Sequence, residues 1–178
     1  MKEVQVLDKK FKVSIPEEEI QNAIKKMAGK MNEDLKGKDV IFLGILNGCF
    51  LFAADLFKNI DVPCQVTFLK LASYQGTSST GNVKRLIGIN EDIENKTVII
   101  LEDIIDTGNT LESIIKQLRG YEPKEIKVAT LLYKPEANQK DLKIDYVGIE
   151  IPNAFIVGYG LDYDGYGRNL RDIYTITE

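Results

Sequence analysis

With 178 residues, 44% of them apolar and 28% charged, the chain is long enough for one globular domain with a substantial core. A net charge of −4 gives no general basic field for nucleic acid. The absence of histidine removes Ser-His and Cys-His nucleophile pairs and His-ligated zinc, so proton transfer must use carboxylates, lysine, tyrosine or water, and any metal ion is expected to be hard and oxygen-ligated.

The opening MKEVQVLDKKF lacks the apolar run of a signal peptide. Pro16 with Glu17, Glu18 and Glu19 then starts a helix, since proline suits the first turn and acids suit its dipole. Ile20, Ile24, Met27, Met31 and Leu35 recur along it at helical spacing, and Lys36-Gly37 closes it. Residues 40–57, VIFLGILNGCFLFAADLF, are nearly all apolar but fall short of the roughly 20 residues that span a bilayer, and Asn47-Gly48 and Asp55 interrupt them. A buried strand at 40–46, a tight turn and a short helix at 49–58 are expected, in a protein with no membrane partner. Cys49 and Cys64 sit in apolar segments without a CxxC motif, which fits a reduced, cytoplasmic chain.

Further strands are expected at 64–71, 84–89, 97–101 and 126–132, with a polar loop at 73–83 and a helix from Thr110 to Arg119 capped by Gly120. Strands apolar throughout and separated by helices indicate an α/β fold with a central, mainly parallel sheet flanked by helices. Tyr146–Ile151, Phe155–Tyr159 and Ile173–Ile176 read as strands that either extend this sheet or form a small subdomain over it. No linker divides the chain, so a single domain spanning 1–178 is expected.

The stretch VIILEDIIDTGNTL, residues 98–111, places Glu102, Asp103 and Asp106 at the end of a buried strand, followed by hydroxyls and a glycine. Burying like charges together is costly unless something positive or hydrogen-bonding meets them. Asp106-Thr107-Gly108-Asn109-Thr110 leads into a helix, where backbone N–H groups and the dipole cradle an anion, phosphate above all. Glu102 and Asp103 would repel a bare phosphate. They can instead accept from a sugar diol, directly or through Mg²⁺, and Asp106 can exchange a proton with a group at the sugar's reactive carbon. A phosphorylated ribose is the implied guest. An isolated D-x-x-D-T-G fits helix capping equally well, but the longer pattern is far more specific.

That stretch resembles the phosphoribosyl diphosphate (PRPP) motif of type I phosphoribosyltransferases, and its E-D-I-I-D-T-G-x-T form most resembles the 6-oxopurine branch, the hypoxanthine(-guanine) phosphoribosyltransferases. The similarity runs from about residue 40 to residue 171. It implies the type I fold, with a core at about 38–160 and a hood from the N- and C-terminal segments. Glu102 and Asp103 would hold the ribose hydroxyls, Asp106 would act as general acid–base at purine N7, Asp106 to Thr110 would hold the 5′-phosphate, and Ile104 would lie against the base.

Other segments carry the same resemblance. LNGCF puts Leu46, Asn47 and Gly48 where the family has a pyrophosphate loop with a non-proline cis peptide, though lysine is common where Asn47 stands. SYQGTSSTG resembles the mobile catalytic loop, with Ser73, Tyr74, Ser79, Thr80 and Gly81 matching; a lid that excludes water suits an oxocarbenium-like transition state. Lys134, on its own a solvated strand-end lysine, would donate to the purine O6. In residues 151–172 Phe155 would stack on the base and the Ile156 backbone would read its edge. There too Asp162, grouped with the base-binding residues, would bind a Mg²⁺ shared with pyrophosphate, and Arg168 would meet the pyrophosphate. Glu102, Asp103 and Asp162 are thus the expected metal ligands. Asn153 stands where aspartate is common.

The implied reaction joins a 6-oxopurine base to PRPP, giving a nucleoside monophosphate and pyrophosphate, in a homo-oligomer (dimer or tetramer) that binds no nucleic acid. Rival readings are a phosphoribosyltransferase for xanthine or a pyrimidine such as uracil, and a regulator that kept the PRPP pocket to sense nucleotides. A phosphoryl-receiver domain ranks last, because a D-T-G-x-T cradle has no role there.

Overall fold

A computed structural model describes residues 2–74 and 83–177. In chain order the elements are β1 (Glu3–Val6), β2 (Lys9–Ile15), α1 (Glu17–Asp34), β3 (Val40–Leu46), α2 (Phe50–Phe57), β4 (Cys64–Tyr74), β5 (Val83–Ile87), β6 (Thr97–Ile105), α3 (Asn109–Arg119), β7 (Glu125–Tyr133), β8 (Tyr146–Glu150), β9 (Ile156–Val157) and β10 (Ile173–Ile176). The main sheet has the order β5-β4-β3-β6-β7-β8; all pairs are parallel except β4 with β5. No helix of the described residues is long and apolar enough to cross a membrane, and the apolar run at 40–57 resolves into β3, a turn and α2.

The apolar strands are buried on both sides because helices cover both sides. Val40 and Phe42 of β3 and Ile99 and Leu101 of β6 pack with Ile24 and Met31 of α1 and Phe52 and Leu56 of α2. The alternate residues Ile41, Leu43, Val98 and Ile100 pack with Leu111, Ile114 and Leu118 of α3. Period-two alternation along the strands therefore sends successive side chains into two separate cores.

A second, antiparallel sheet with the order β1-β2-β10-β9 joins the two ends of the chain around Val6, Phe11, Val157 and Tyr174. Its hairpin β1/β2 is not among the expected elements. Val4, Val6, Phe11, Val13 and Ile15 alternate as strands should, but the turn at Leu7-Asp8 carries no glycine, and Leu7 itself takes φ 53°. The last strands divide as well: β8 extends the parallel sheet, while β9 and β10 enter the second one. β9 is shorter than the expected Phe155–Tyr159 because Gly158 (φ 105°) and Tyr159 (φ 48°) turn the chain out of the extended region.

Asp172 ties these parts together. The Lys2 ammonium lies 2.8 Å from its Oδ2, and the Tyr174 hydroxyl donates to the same oxygen at 3.3 Å. The Glu17 N–H, one of the unpaired donors that open α1, donates to its Oδ1 at 2.9 Å. Pro16 supplies no side-chain cap, so a carboxylate distant in sequence does so. The bonds from Lys2 and the Glu17 N–H hold Asp172 below its unfolded value of 3.8. A depressed carboxylate stabilises the fold fully above the unfolded value, and that contribution is lost as pH falls through the folded one. Asp172→Asn is therefore expected to lower the melting temperature at pH 7 by about 3 °C, with the gap closing below about pH 4 in thermal unfolding scans.

Candidate active site

From β3 the chain passes to β4 on one side, then returns to β6 on the other. This reversal leaves a crevice at the carboxyl edge of the sheet between β3 and β6, where open α/β folds bind ligands. The loop 46–49 leaves β3 for α2, the loop 106–108 leaves β6 for α3, and β7 ends beside them at Tyr133. The crevice thus collects Asn47-Gly48, the acidic stretch and Lys134. A cavity of about 270 Å³ there is lined by residues from Glu102 to Gly108, with Thr110 and Leu111.

Glu102 and Asp103 lie inside β6, which runs to Ile105 rather than ending at 101, while Asp106 follows its end; Glu102 pairs in register with Thr130 of β7. The sheet therefore carries Glu102 and Asp103 into a poorly solvated position, with Glu102 only 7% exposed. Burial, then the neighbouring Asp103 charge, pushes Glu102 well above the usual carboxylate range. Burial likewise raises Asp103 to about 6, and nearby Asp162 adds to the rise, while the backbone donors of Ile104 and Asp103 and the Arg168 charge oppose it. The Ile104 N–H donates to Asp103 Oδ1 at 2.9 Å. Cys49 reports the same negative environment: burial, then Asp103 and Glu102, pushes its thiol to about 12. That is an inert thiol rather than a nucleophile.

Gly48 lies directly against this pair. A Cβ at residue 48 would collide with Asp103 Oδ2, so glycine is what lets the 46–49 loop approach the carboxylate. The Leu46–Asn47 peptide is cis. Beyond the acids, Gly108 caps α3 in the left-handed conformation at φ 83°. The Asn109 N–H donates to Thr107 Oγ1 at 3.4 Å, and the Gln139 N–H donates to the Thr107 carbonyl at 3.0 Å. Asn138, whose amide donates to the Tyr133 hydroxyl at 2.9 Å, fills the space a side chain at 108 would need. The brace from residues 134–140 was not anticipated; Pro135 and Asn138 were its turn signals.

Lys134 is not the solvated strand-end lysine its isolated position suggests. It is 7% exposed, and its Nζ lies 3.1 Å from Asp106 Oδ2. An acceptor and a cationic donor thus stand side by side, with Ile104 two residues upstream of Asp106.

Arg168 and Asp162 form a second charged group. The Arg168 Nη2 lies 2.8 Å from Asp162 Oδ1, its Nη1 donates to the Gly160 carbonyl at 2.6 Å, and the Gly165 N–H donates to Asp162 Oδ2 at 2.7 Å. Both act electrostatically on Asp103, so this group adjoins the acid pair. Among the described residues no three carboxylate, Cys or His side chains make a ready metal cage. Hard, partly desolvated oxygens nonetheless suit Mg²⁺, which keeps water and takes substrate phosphates alongside one or two carboxylates. Phe155 is 47% exposed and meets the rings of Phe11 at 6.2 Å and Tyr163 at 5.9 Å, on the second sheet. Ile156 is buried in β9 of that sheet. Ser73 and Tyr74 end β4, whereas Ser79, Thr80 and Gly81 lie outside the described residues.

Residues 16–164 match the family model of the phosphoribosyl transferase domain. The hypoxanthine-guanine phosphoribosyltransferase of Staphylococcus epidermidis is 44% identical over 165 residues, which cover 92% of each chain. A solved hypoxanthine phosphoribosyltransferase from Staphylococcus aureus superposes with a TM-score of 0.86 at 39% identity, over 93% of this chain and 91% of that one. A hypoxanthine-guanine phosphoribosyltransferase from Bacillus anthracis gives a TM-score of 0.86 at 37% identity, over 93% and 98%. Fold, site and these similarities agree: the chain belongs to the phosphoribosyltransferase family, in its hypoxanthine-guanine branch.

Proposed function

We infer that the protein is a purine salvage enzyme that transfers the 5-phosphoribosyl group of PRPP to hypoxanthine and guanine, releasing IMP or GMP and pyrophosphate. The observation that carries this reading is the Asp106–Lys134 pair at 3.1 Å. A 6-oxopurine projects N7–H and O6 side by side, so it meets an acceptor and a cationic donor at once. Adenine turns an amino donor toward the ammonium and is disfavoured.

The rest of the crevice fits the other substrate. The 107–110 loop at the head of α3 receives the 5′-phosphate on backbone N–H groups. Glu102 and Asp103 accept from the ribose hydroxyls, and Asn47-Gly48 with Arg168 receives the diphosphate. Ile104 lies against the base, Phe155 stacks on it, and Ile156 offers backbone groups to its edge. In the transfer, the C1′–N9 bond forms as the C1′–O bond to diphosphate breaks and its electron pair leaves with the diphosphate. Asp106 takes the N7 proton, and Lys134 stabilises the negative charge that develops on O6. Glu102, Asp103 and Asp162 are the residues that would hold Mg²⁺, which when bound would supply positive charge to the diphosphate. Most of the rate enhancement comes from holding both substrates in line. The enzyme acts in the cytoplasm as a homo-oligomer.

Turnover of five bases with PRPP and Mg²⁺ tests the reading. Hypoxanthine and guanine are expected to exceed xanthine, adenine and uracil by about tenfold or more. Asp106→Asn is expected to lower kcat for hypoxanthine at least about tenfold. Binding of PRPP without turnover of any base would overturn the enzyme in favour of a nucleotide-sensing regulator. Gly48→Ala checks the diphosphate end: its methyl collides with Asp103, so the affinity for Mg²⁺-PRPP measured by calorimetry should fall about tenfold or more while circular dichroism is unchanged.

A further inference from the structure

The 158–162 turn is the element that carries Asp162 and receives Arg168, and two of the residues that hold it, Asp55 and Tyr159, belong to none of the proposed substrate contacts. Gly160 packs so closely on the Gly48 carbonyl that a Cβ there would overlap it. Gly48 in turn lies against Asp103, so three segments stack in order: the turn, the 46–49 loop and β6. Along the turn, the Gly160 N–H donates to the Arg168 carbonyl at 3.0 Å, and the Tyr159 N–H donates to the Leu170 carbonyl at 2.8 Å.

Tyr159 sets the position of this turn. It is 4% exposed, and its φ of 48° is one a bulky residue keeps only where its surroundings enforce it. Its hydroxyl donates to Asp55 Oδ2. Asp55 sits on α2, the helix that begins immediately after the 46–49 loop. Its carboxylate is fixed from two more directions: Gln21 of α1 donates to Oδ2 at 2.7 Å, and the Lys58 ammonium lies 2.7 Å from Oδ1. The helix that follows the diphosphate loop and the turn that carries Asp162 are thereby tied by one charge-assisted hydrogen bond between a buried tyrosine and a partly buried carboxylate, of the stronger kind. Asp55, Tyr159 and Arg168 also share the wall of a second cavity, of about 610 Å³.

We propose that Asp55 and Tyr159 are positioning residues for the diphosphate end of the site: their hydrogen bond sets the gap between Gly48 and Gly160, and through it the placement of Arg168 and Asp162. Neither residue touches substrate. The base end, at Asp106 and Lys134, is held by different elements and does not depend on this tie. The proposal rests on the functional reading above.

Tyr159→Phe keeps the ring and removes the hydroxyl; Asp55→Asn keeps the shape and removes the charge. For both, KM for PRPP, KM for pyrophosphate in the reverse reaction and the calorimetric Kd for Mg²⁺-PRPP are expected to rise about five- to tenfold. KM for hypoxanthine and kcat at saturating PRPP should stay within about twofold. The double variant should be no worse than the more affected single one, because both act on the same bond, Asp55→Asn by removing its charge and Tyr159→Phe by removing its donor. Unchanged PRPP and pyrophosphate constants, or equal losses for PRPP and hypoxanthine, would overturn the proposal, as would additive losses. Should either variant fail to fold, the other carries the same test. A wild-type protein that binds no PRPP would instead overturn the functional reading, so the two failures are distinguishable.

Discussion

Everything at the carboxyl edge of the main sheet is organised around two adjacent carboxylates taken out of water. Glu102 and Asp103 are placed there by β6, which continues past the apolar run and pairs Glu102 with Thr130 of β7. Among the described residues no ion pair to either is present. Burial raises both above the ordinary carboxylate range, and even the neighbouring thiol is pushed up. A fold selected for stability alone would fill these positions with apolar side chains of similar size. Retaining the charges makes sense when a cation and a hydroxylated sugar arrive to meet them.

Around that pair the local chemistry follows. Glycine is needed at 48 because the acid leaves no room for a side chain, and at 160 because the next turn packs on the 48 carbonyl. The charges beside the pair sort by distance from it. Arg168, shared with Asp162, stabilises Asp103 electrostatically, whereas Lys134 is committed to Asp106 farther along the loop. Polar work is thus divided into a base end and a diphosphate end, each held by its own secondary structure.

Much of this is legible in the residues, because the long-range geometry is encoded in short-range patterns. Unbroken apolar strands imply helices on both faces, and parallel strands bring their carboxyl ends to one edge. An acid cluster followed by D-T-G-x-T at the end of such a strand therefore belongs to that edge. What escaped has physical reasons. The β1/β2 hairpin turns at Leu7-Asp8 without glycine, so only its alternation betrayed it. The burial of Lys134 depends on tertiary packing that its neighbours in sequence do not reveal. The tie between Asp55 and Tyr159 spans more than a hundred residues, and neither carries a local signal: an aspartate in a helix and a tyrosine in a glycine-rich turn are unremarkable until the fold brings them together.

The buried charge of the acid pair thus costs the free protein stability in exchange for binding. Asp103→Asn tests it directly, because the amide keeps the shape and the acceptor for the Ile104 N–H but removes the buried charge. Thermal unfolding at pH 8 without ligand, paired with calorimetry of Mg²⁺-PRPP, gives both sides of the exchange. The melting temperature is expected to rise by roughly 5 °C while PRPP affinity falls about tenfold or more. A variant that melts at or below the wild-type temperature, or that binds PRPP as tightly as the wild type, would contradict it.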